Sequence, residues 1–393
     1  MINGKKGVLK RILLGSMLSV FVLIGQCVAI SAIEQETLQS KIDAISGTGE
    51  VDLSQDYTED IVIKKDQNIT IDLTGHKLTN LASDTITVEN GATLTIKGNG
   101  TVDNVSNGKA ALVNNGTVTL NGGTFTRSLE TGVNKKTGGN NTYYNILNHG
   151  TLTINDGTTV SQTGKYSSLI DNGYYTYTST NDRSGYVAGT NQAEPSITIN
   201  GGSFSGGVMT LKNDDGGVAT INGGTFSNNY QNVIMNCNQA AIHGGTFNLL
   251  PNTDQAADQV AVLINGKFSG GHDDGATVID GGMFSGNALI AKHSGADLGL
   301  GTVSISGGYY TVNPASYVIA NYVAVGSDNS SYEYKVTSIT SGIPTTDKSG
   351  ASVELDSGAS FTNLDTTATA KPVTLEVNAL TASEATEAES KIK

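Results

Sequence analysis

Two acidic pairs are the side chains in this sequence whose type and spacing could do chemistry: Asp214–Asp215 in KNDDGG and Asp273–Asp274 in GHDDG. Neighbouring carboxylates can act as general acid and base, or offer oxygen ligands to Ca2+. For paired-acid glycoside chemistry the four carboxylates would have to converge to within about 10 Å. Each pair stands a few residues before a strand-like apolar segment, so both can share one corner of a repeating fold. Asp-Asp-Gly is equally an ordinary turn sequence. His272 beside Asp273 is the one acid–base neighbour pair, while His76, His149, His243 and His293 are scattered. Cys237 in MNCN reads as a small core residue rather than a nucleophile. No catalytic residue is assigned and, Ca2+ at the four aspartates apart, no cofactor is expected.

A second candidate is built for binding. Tyr143, Tyr144, Tyr166, Tyr174, Tyr175, Tyr177 and Tyr186 crowd one region, and DNGYYTYTSTNDRSGY is dense in Tyr, Ser, Asn and Gly. Rigid rings among adaptable polar neighbours suit a glycan or a protein surface. Tyr174, Tyr175, Tyr177 and Tyr186 are the binding candidates, with at least two of them expected in a loop that leaves the scaffold. The alternative is a degraded extra repeat whose tyrosines cover the scaffold's side.

The scaffold follows from composition and period. Gly is 49 of 393 residues, Pro only 5, Trp absent and charged residues 15%. That composition favours turns and strands over helices and lacks the Pro and strict period of collagen. Residues 1–32 read as a secretory signal peptide. Lys5, Lys6, Lys10 and Arg11 precede an apolar run from Ile12 to Ile24, with small residues before Ala29 and Ala32. This segment holds four basic and no acidic side chains, so the remainder carries −17 against −13 for the whole chain. An acidic exported chain has no electrostatic reason to bind nucleic acid or an anionic membrane. After cleavage Cys237 stands alone, which excludes an intrachain disulfide.

Near-copies of INGGTFSNN recur through the chain. Aligning the apolar residue before each turn gives Leu73, Ile96, Leu120, Ile154, Ile199, Ile221, Ile242, Ile279 and Ile305, with a basic interval of 21 to 24 residues and longer ones of 26, 34, 37 and 45. Periods in this range mean a solenoid. A second inward residue lies two places earlier, and Phe125, Phe204, Phe226, Phe247, Phe284 and Tyr310 recur after the turn. With a further apolar patch before each strand, one unit reads as three strands and three corners. Stacked units make a parallel β-helix with aliphatic and aromatic ladders. The Gly-Gly corner calls for φ > 0. Asn121, Asn155, Asn200 and Asn222 precede it; Asn tolerates the left-handed region and can bond to the Asn one coil along.

With these motifs in view, the coils resemble the right-handed parallel β-helix of the pectate-lyase-like superfamily. More narrowly, they look like the β-helix segments of exported, adhesin-like surface proteins of Gram-positive bacteria. ITIDLTGHKLTN (69–80) is similar to the entry coil of that group, and GGYYTVNPASYVIANYVAV (307–325) to its closing segment. The resemblance implies a scaffold that hosts lyases, hydrolases, adhesins and stalks, so it leaves activity open. Only Arg127 and Arg183 lie beyond the leader, and the Asn-Thr-Asp and Arg-Ile-Lys motifs of polygalacturonases are missing.

The expected organisation is a signal peptide (1–32), a capping segment (33–50) with a short amphipathic helix in LQSKIDAI, a right-handed single-stranded parallel β-helix (51–336) and a β-rich C-terminal extension (337–393). The expected product is a secreted or cell-surface monomer, without membrane insertion after cleavage, that holds loops against a glycan or a host or bacterial surface protein. A polysaccharide lyase or glycoside hydrolase acting on acidic polysaccharide is the alternative, and a passive stalk a third.

Overall fold

The computed structural model describes residues 36–130, 141–174, 194–251, 261–267, 273–293 and 298–339, with the backbone of 353–355 and 375–377. Residues 1–35, which include the expected signal peptide, and Tyr175, Tyr177, Tyr186 and His272 lie outside the described residues. The chain divides into a unit ending at Thr37 and a unit from Leu38 to Lys393, which is the one described below.

Period-two apolar segments form three parallel ladders, and together they build an all-β parallel β-helix. In the first ladder Val51, Ile71, Ile96, Leu120, Ile154, Ile199, Ile221, Ile242, Ile279 and Ile305 stand one above the next in register. In the second, Tyr57, Leu78, Val102, Phe125, Val160, Phe204, Phe226, Phe247, Phe284 and Tyr310 do the same. The third is a nine-stranded sheet running from Ile61–Ile63 to Ile290–Ala291. Inward side chains of all three fill one continuous core. From Phe204 to Tyr310 the rings stack face to face, with centroids 4.5, 5.0, 4.7 and 5.0 Å apart. Such contacts contribute about 0.5–1.5 kcal/mol each beyond simple burial.

The first coil departs from the sequence alignment. Ile96 pairs with Ile71, not Leu73, so the first interval is 25 residues rather than 23. Ile71 and Leu73 both point inward and are both fully buried. A period of two cannot choose between such residues; backbone pairing does.

The Gly-Gly corner uses its two glycines differently. Gly224 has φ +96, a left-handed conformation that side chains resist. A Cβ on Gly223 would lie 2.6 Å from the Asn200 carbonyl oxygen of the preceding coil, so that site is bare to let coils approach. Contrary to expectation, Asn121, Asn155, Asn200 and Asn222 do not take positive φ. Their role is the ladder alone: each Nδ2 donates to the preceding Oδ1, at 2.7 Å for Asn155 to Asn121, and at 2.8 Å for Asn200 to Asn155 and Asn222 to Asn200. His243 and Asp280 extend the column with an Nδ1–carboxylate contact of 2.9 Å.

The 45-residue interval is one coil. Thr151–Ile154 pairs directly with Ser196–Ile199, and the coil's other strands are Thr159–Ser161 and Ile170–Asn172. The extra-coil reading is therefore overturned: the added length lies between Asn172 and Ser196, at a corner. Fixed coil pairing leaves corners as the places that accept insertion.

Both ends of the β-helix are closed. Helix α1, Leu38–Asp43, buries Leu38 and Ile42 completely. Glu59 accepts the amide hydrogens of Leu38 and Gln39, at 2.9 and 3.0 Å. At the other end Tyr334–Ser338 runs antiparallel to Tyr309–Tyr310 and to Tyr322–Gly326, which covers the last ladder edge. In the C-terminal extension, 353–355 and 375–377 form a parallel pair.

Candidate functional site

The corner between the third and first ladders is built from a repeated Asn-x-Gly. Asn114-Asn115-Gly116 and Asn148-His149-Gly150 follow the same course one coil apart, and Asn172-Gly173-Tyr174 stands above them. A Cβ on Gly150 would meet the Gly116 carbonyl oxygen at 2.1 Å, so this glycine lets the corners stack closely. The first Asn of each motif points inward. Its amide joins a second, buried ladder, Asn114–Asn148–Asn172–Asn213–Asn236–Asn265, in which each Nδ2 donates to the next Oδ1 at 2.6 to 3.0 Å. These amides also bond to backbone carbonyls, so the burial of each is compensated.

With the amides turned inward, the middle residues of the motifs face out and line a groove of about 690 Å3 along the corner. Asn90, Asn115, His149, Tyr174 and Glu194 are among its walls. The volume suits a small ligand or a short stretch of polymer. The Tyr174 ring stacks on His149, with centroids 4.9 Å apart and planes 8° from parallel. His149 Nδ1 lies 3.3 Å from Asn115 Oδ1. Burial lowers the imidazole pKa to about 4, so His149 is neutral at pH 7. Burial likewise raises the Tyr174 phenol above its usual range. Among the described lining residues Glu194 is the one charged side chain, and no cation offers itself to an acidic ligand.

Of the four tyrosines singled out in the sequence, Tyr174 is thus in the groove; Tyr175, Tyr177 and Tyr186 lie outside the described residues. The Tyr174 amide donates to the Asp215 carbonyl at 2.9 Å, which ties the root of the insertion to the acidic corner. There the Asp273 amide donates to Asp215 Oδ1 at 3.0 Å, and the Gly216 amide to Asp273 Oδ2 at 2.7 Å. Asp215 and Asp273 therefore meet, each accepting a backbone N–H. Asp274 accepts the Gly275 amide at 3.0 Å and is exposed. Asp214 is buried and ion-paired to Lys212. Burial opposes the charge on Lys212, but Asp214 and Asp171 outweigh it and hold the ammonium well above its usual pKa. The nearby Cys237 thiol is pushed far up by burial, which suppresses its nucleophilicity. Among the described residues, a trio of carboxylates with oxygens within 4.8 Å occurs elsewhere, at Glu50, Asp52 and Asp72. Lys97 already bridges Glu50 and Asp72, at 2.7 and 3.3 Å.

Sequence reasoning missed His149 and the buried Asn ladder. The signal was present in NNG and NHG before successive strands, two copies of one corner a coil apart. Against family models, curated proteins and solved structures, the chain finds no match in any of the three comparisons.

Proposed function

We propose that this chain is an exported β-helix protein of the pectate-lyase-like, adhesin-like type that binds an uncharged glycan segment without transforming it. The observation that supports this reading is the groove in which Tyr174 stacks on a neutral His149, with the amides of Asn90 and Asn115 along the same groove and the tyrosine-rich insertion starting beside it. Rings supply apolar area for sugar faces, and amides supply adaptable hydrogen bonds. The described lining residues include no cation, which suits an uncharged chain better than an acidic one. The lyase or hydrolase alternative draws less support, because Asp214 is buried against Lys212 and Asp215 and Asp273 are engaged with backbone amides.

The test is a glycan array probed with the purified chain from residue 33, wild type and Tyr174→Ala. Binding to neutral glycans that Tyr174→Ala loses by tenfold or more, at unchanged melting temperature, supports the reading. Binding confined to acidic glycans with new chain ends released would favour the enzyme. Binding to proteins alone, or to nothing, would overturn the glycan assignment.

A further inference from the structure

We infer that the outer face of the first ladder is an ice-binding surface; it adjoins the corner groove, whose walls include Thr117 and Thr151. The ladder's outward positions form a two-dimensional lattice of hydroxyls. Thr95, Thr119, Thr153, Thr198 and Thr220 stand in one in-register column. Thr93, Thr117, Thr151 and Ser196 form a second column, two residues back along the same strands. Coil spacing is about 4.8 Å, and residues i and i+2 of a strand are about 6.7 Å apart. Both spacings lie close to the oxygen repeats on the faces of hexagonal ice. In-register pairing, backed by Asn ladders at the corners, is the arrangement that keeps a many-stranded sheet flat.

The face is also uncharged where it need not be. One column runs Asp52, Asp72, Lys97, Asn121, so outward positions of the first coils carry charge without harm to the fold. The column then runs Asn121, Asn155, Asn200 and Asn222, and charge returns beyond them, at Asp280. In the segments 117–126, 151–161, 196–205 and 218–227 Asp156 is the one charged side chain, within a chain of net charge −13. Charged groups impose their own hydration geometry. Threonine instead offers a hydroxyl to hold a water and a methyl to confine it. Among the described residues, the hydroxyls of Thr95, Thr119, Thr153 and Thr198 make no hydrogen bond within the protein and remain for solvent. A single hydroxyl–water bond contributes little net free energy. A rigid array can engage many such waters at once, and that multivalency gives adhesion only to a partner with the same repeat. These columns hold no aromatic ring, the group that would favour a sugar polymer over a water lattice.

The experiment is slow growth of an ice hemisphere in a dilute solution of the full chain, with Thr119→Lys/Thr153→Lys and Thr119→Val/Thr153→Val as variants. Protein fraction in the ice and inhibition of recrystallisation are the readouts. The wild type is expected to enter the ice several-fold above an inert acidic protein and to keep crystals small. The lysine variant should lose at least tenfold of that enrichment at unchanged melting temperature. The valine variant, which keeps the strand propensity and shape, should lose most of it even if the lysine variant folds poorly. Exclusion of the wild type from ice, or equal entry by a folded valine variant, would overturn the inference. Tyr174→Ala should leave ice entry unaltered, because the ring is no part of the hydroxyl columns even though Thr117 and Thr151 also line the groove.

Discussion

The imidazole of His149 lies flat against the ring of Tyr174, 4.9 Å between centroids, although 25 residues and a full coil separate them. The contact exists because the third-ladder strands that precede them, Ile146–Asn148 and Ile170–Asn172, pair in register. It joins a residue of the regular corner to the root of an insertion.

That stack gives the first prediction. His149 has a folded-state pKa of about 4 against 6.5 when exposed, so the unfolded chain binds more protons between those values. Stability should rise with pH across that window and hold above it. His149→Gln should remove that dependence. Imidazole NMR titration checks it directly, and a midpoint near 6.5 would contradict the burial argument.

Glu130 works in the opposite sense. Burial raises its pKa from 4.5 to about 7, despite Arg127 beside it at 3.2 Å. The folded protein then binds more protons than the unfolded chain between pH 4.5 and 7. This contribution is full below 4.5 and is lost as pH rises through 7. Unfolding followed by denaturant at pH 5 and pH 8 should show Glu130→Gln losing less stability over that interval than wild type.

Lys212 and Asp214 are both nearly inaccessible, and removal of one partner leaves a buried charge. Lys212→Met should destabilise the fold by about 3–5 kcal/mol. Lys212→Met/Asp214→Asn should recover a large part of that loss. Urea unfolding of the single and double variants decides it; a double variant as unstable as the single would count against an ion-pair origin.

The two ladders differ in what a truncation costs. Phe226 is stacked on both sides, by Phe204 and Phe247, and Phe226→Ala should cost about 3–5 kcal/mol. Asn222→Ala, at the exposed corner, should cost well under 1 kcal/mol, because water replaces the lost bond to Asn200. Asn236→Ala, in the buried ladder, should cost about 1–3 kcal/mol, since buried partners then lose their hydrogen bonds. Equal costs for Asn222 and Asn236 would mean that burial does not distinguish the ladders.

Taken by itself, the amino-acid order determined the repeat, and with it the fold. The Gly-Gly corners, the aliphatic and aromatic columns and the exposed Asn ladder follow from side chains recurring at one interval, because parallel coils place like on like. Helix α1 was legible for the same local reason, two apolar residues four apart ahead of an open coil end. Tertiary structure decided what depends on register or on distance along the chain. Choosing Ile71 over Leu73 required backbone pairing, since both side chains face inward. Assigning the 45-residue interval to one coil required seeing Thr151 opposite Ser196. Asp214 became a buried ion-pair member and Asp215 a neighbour of Asp273 only when distant corners were stacked, and His149 met Tyr174 in the same way. A corner motif gives the local turn, but which groups its side chains meet depends on the coils above and below it.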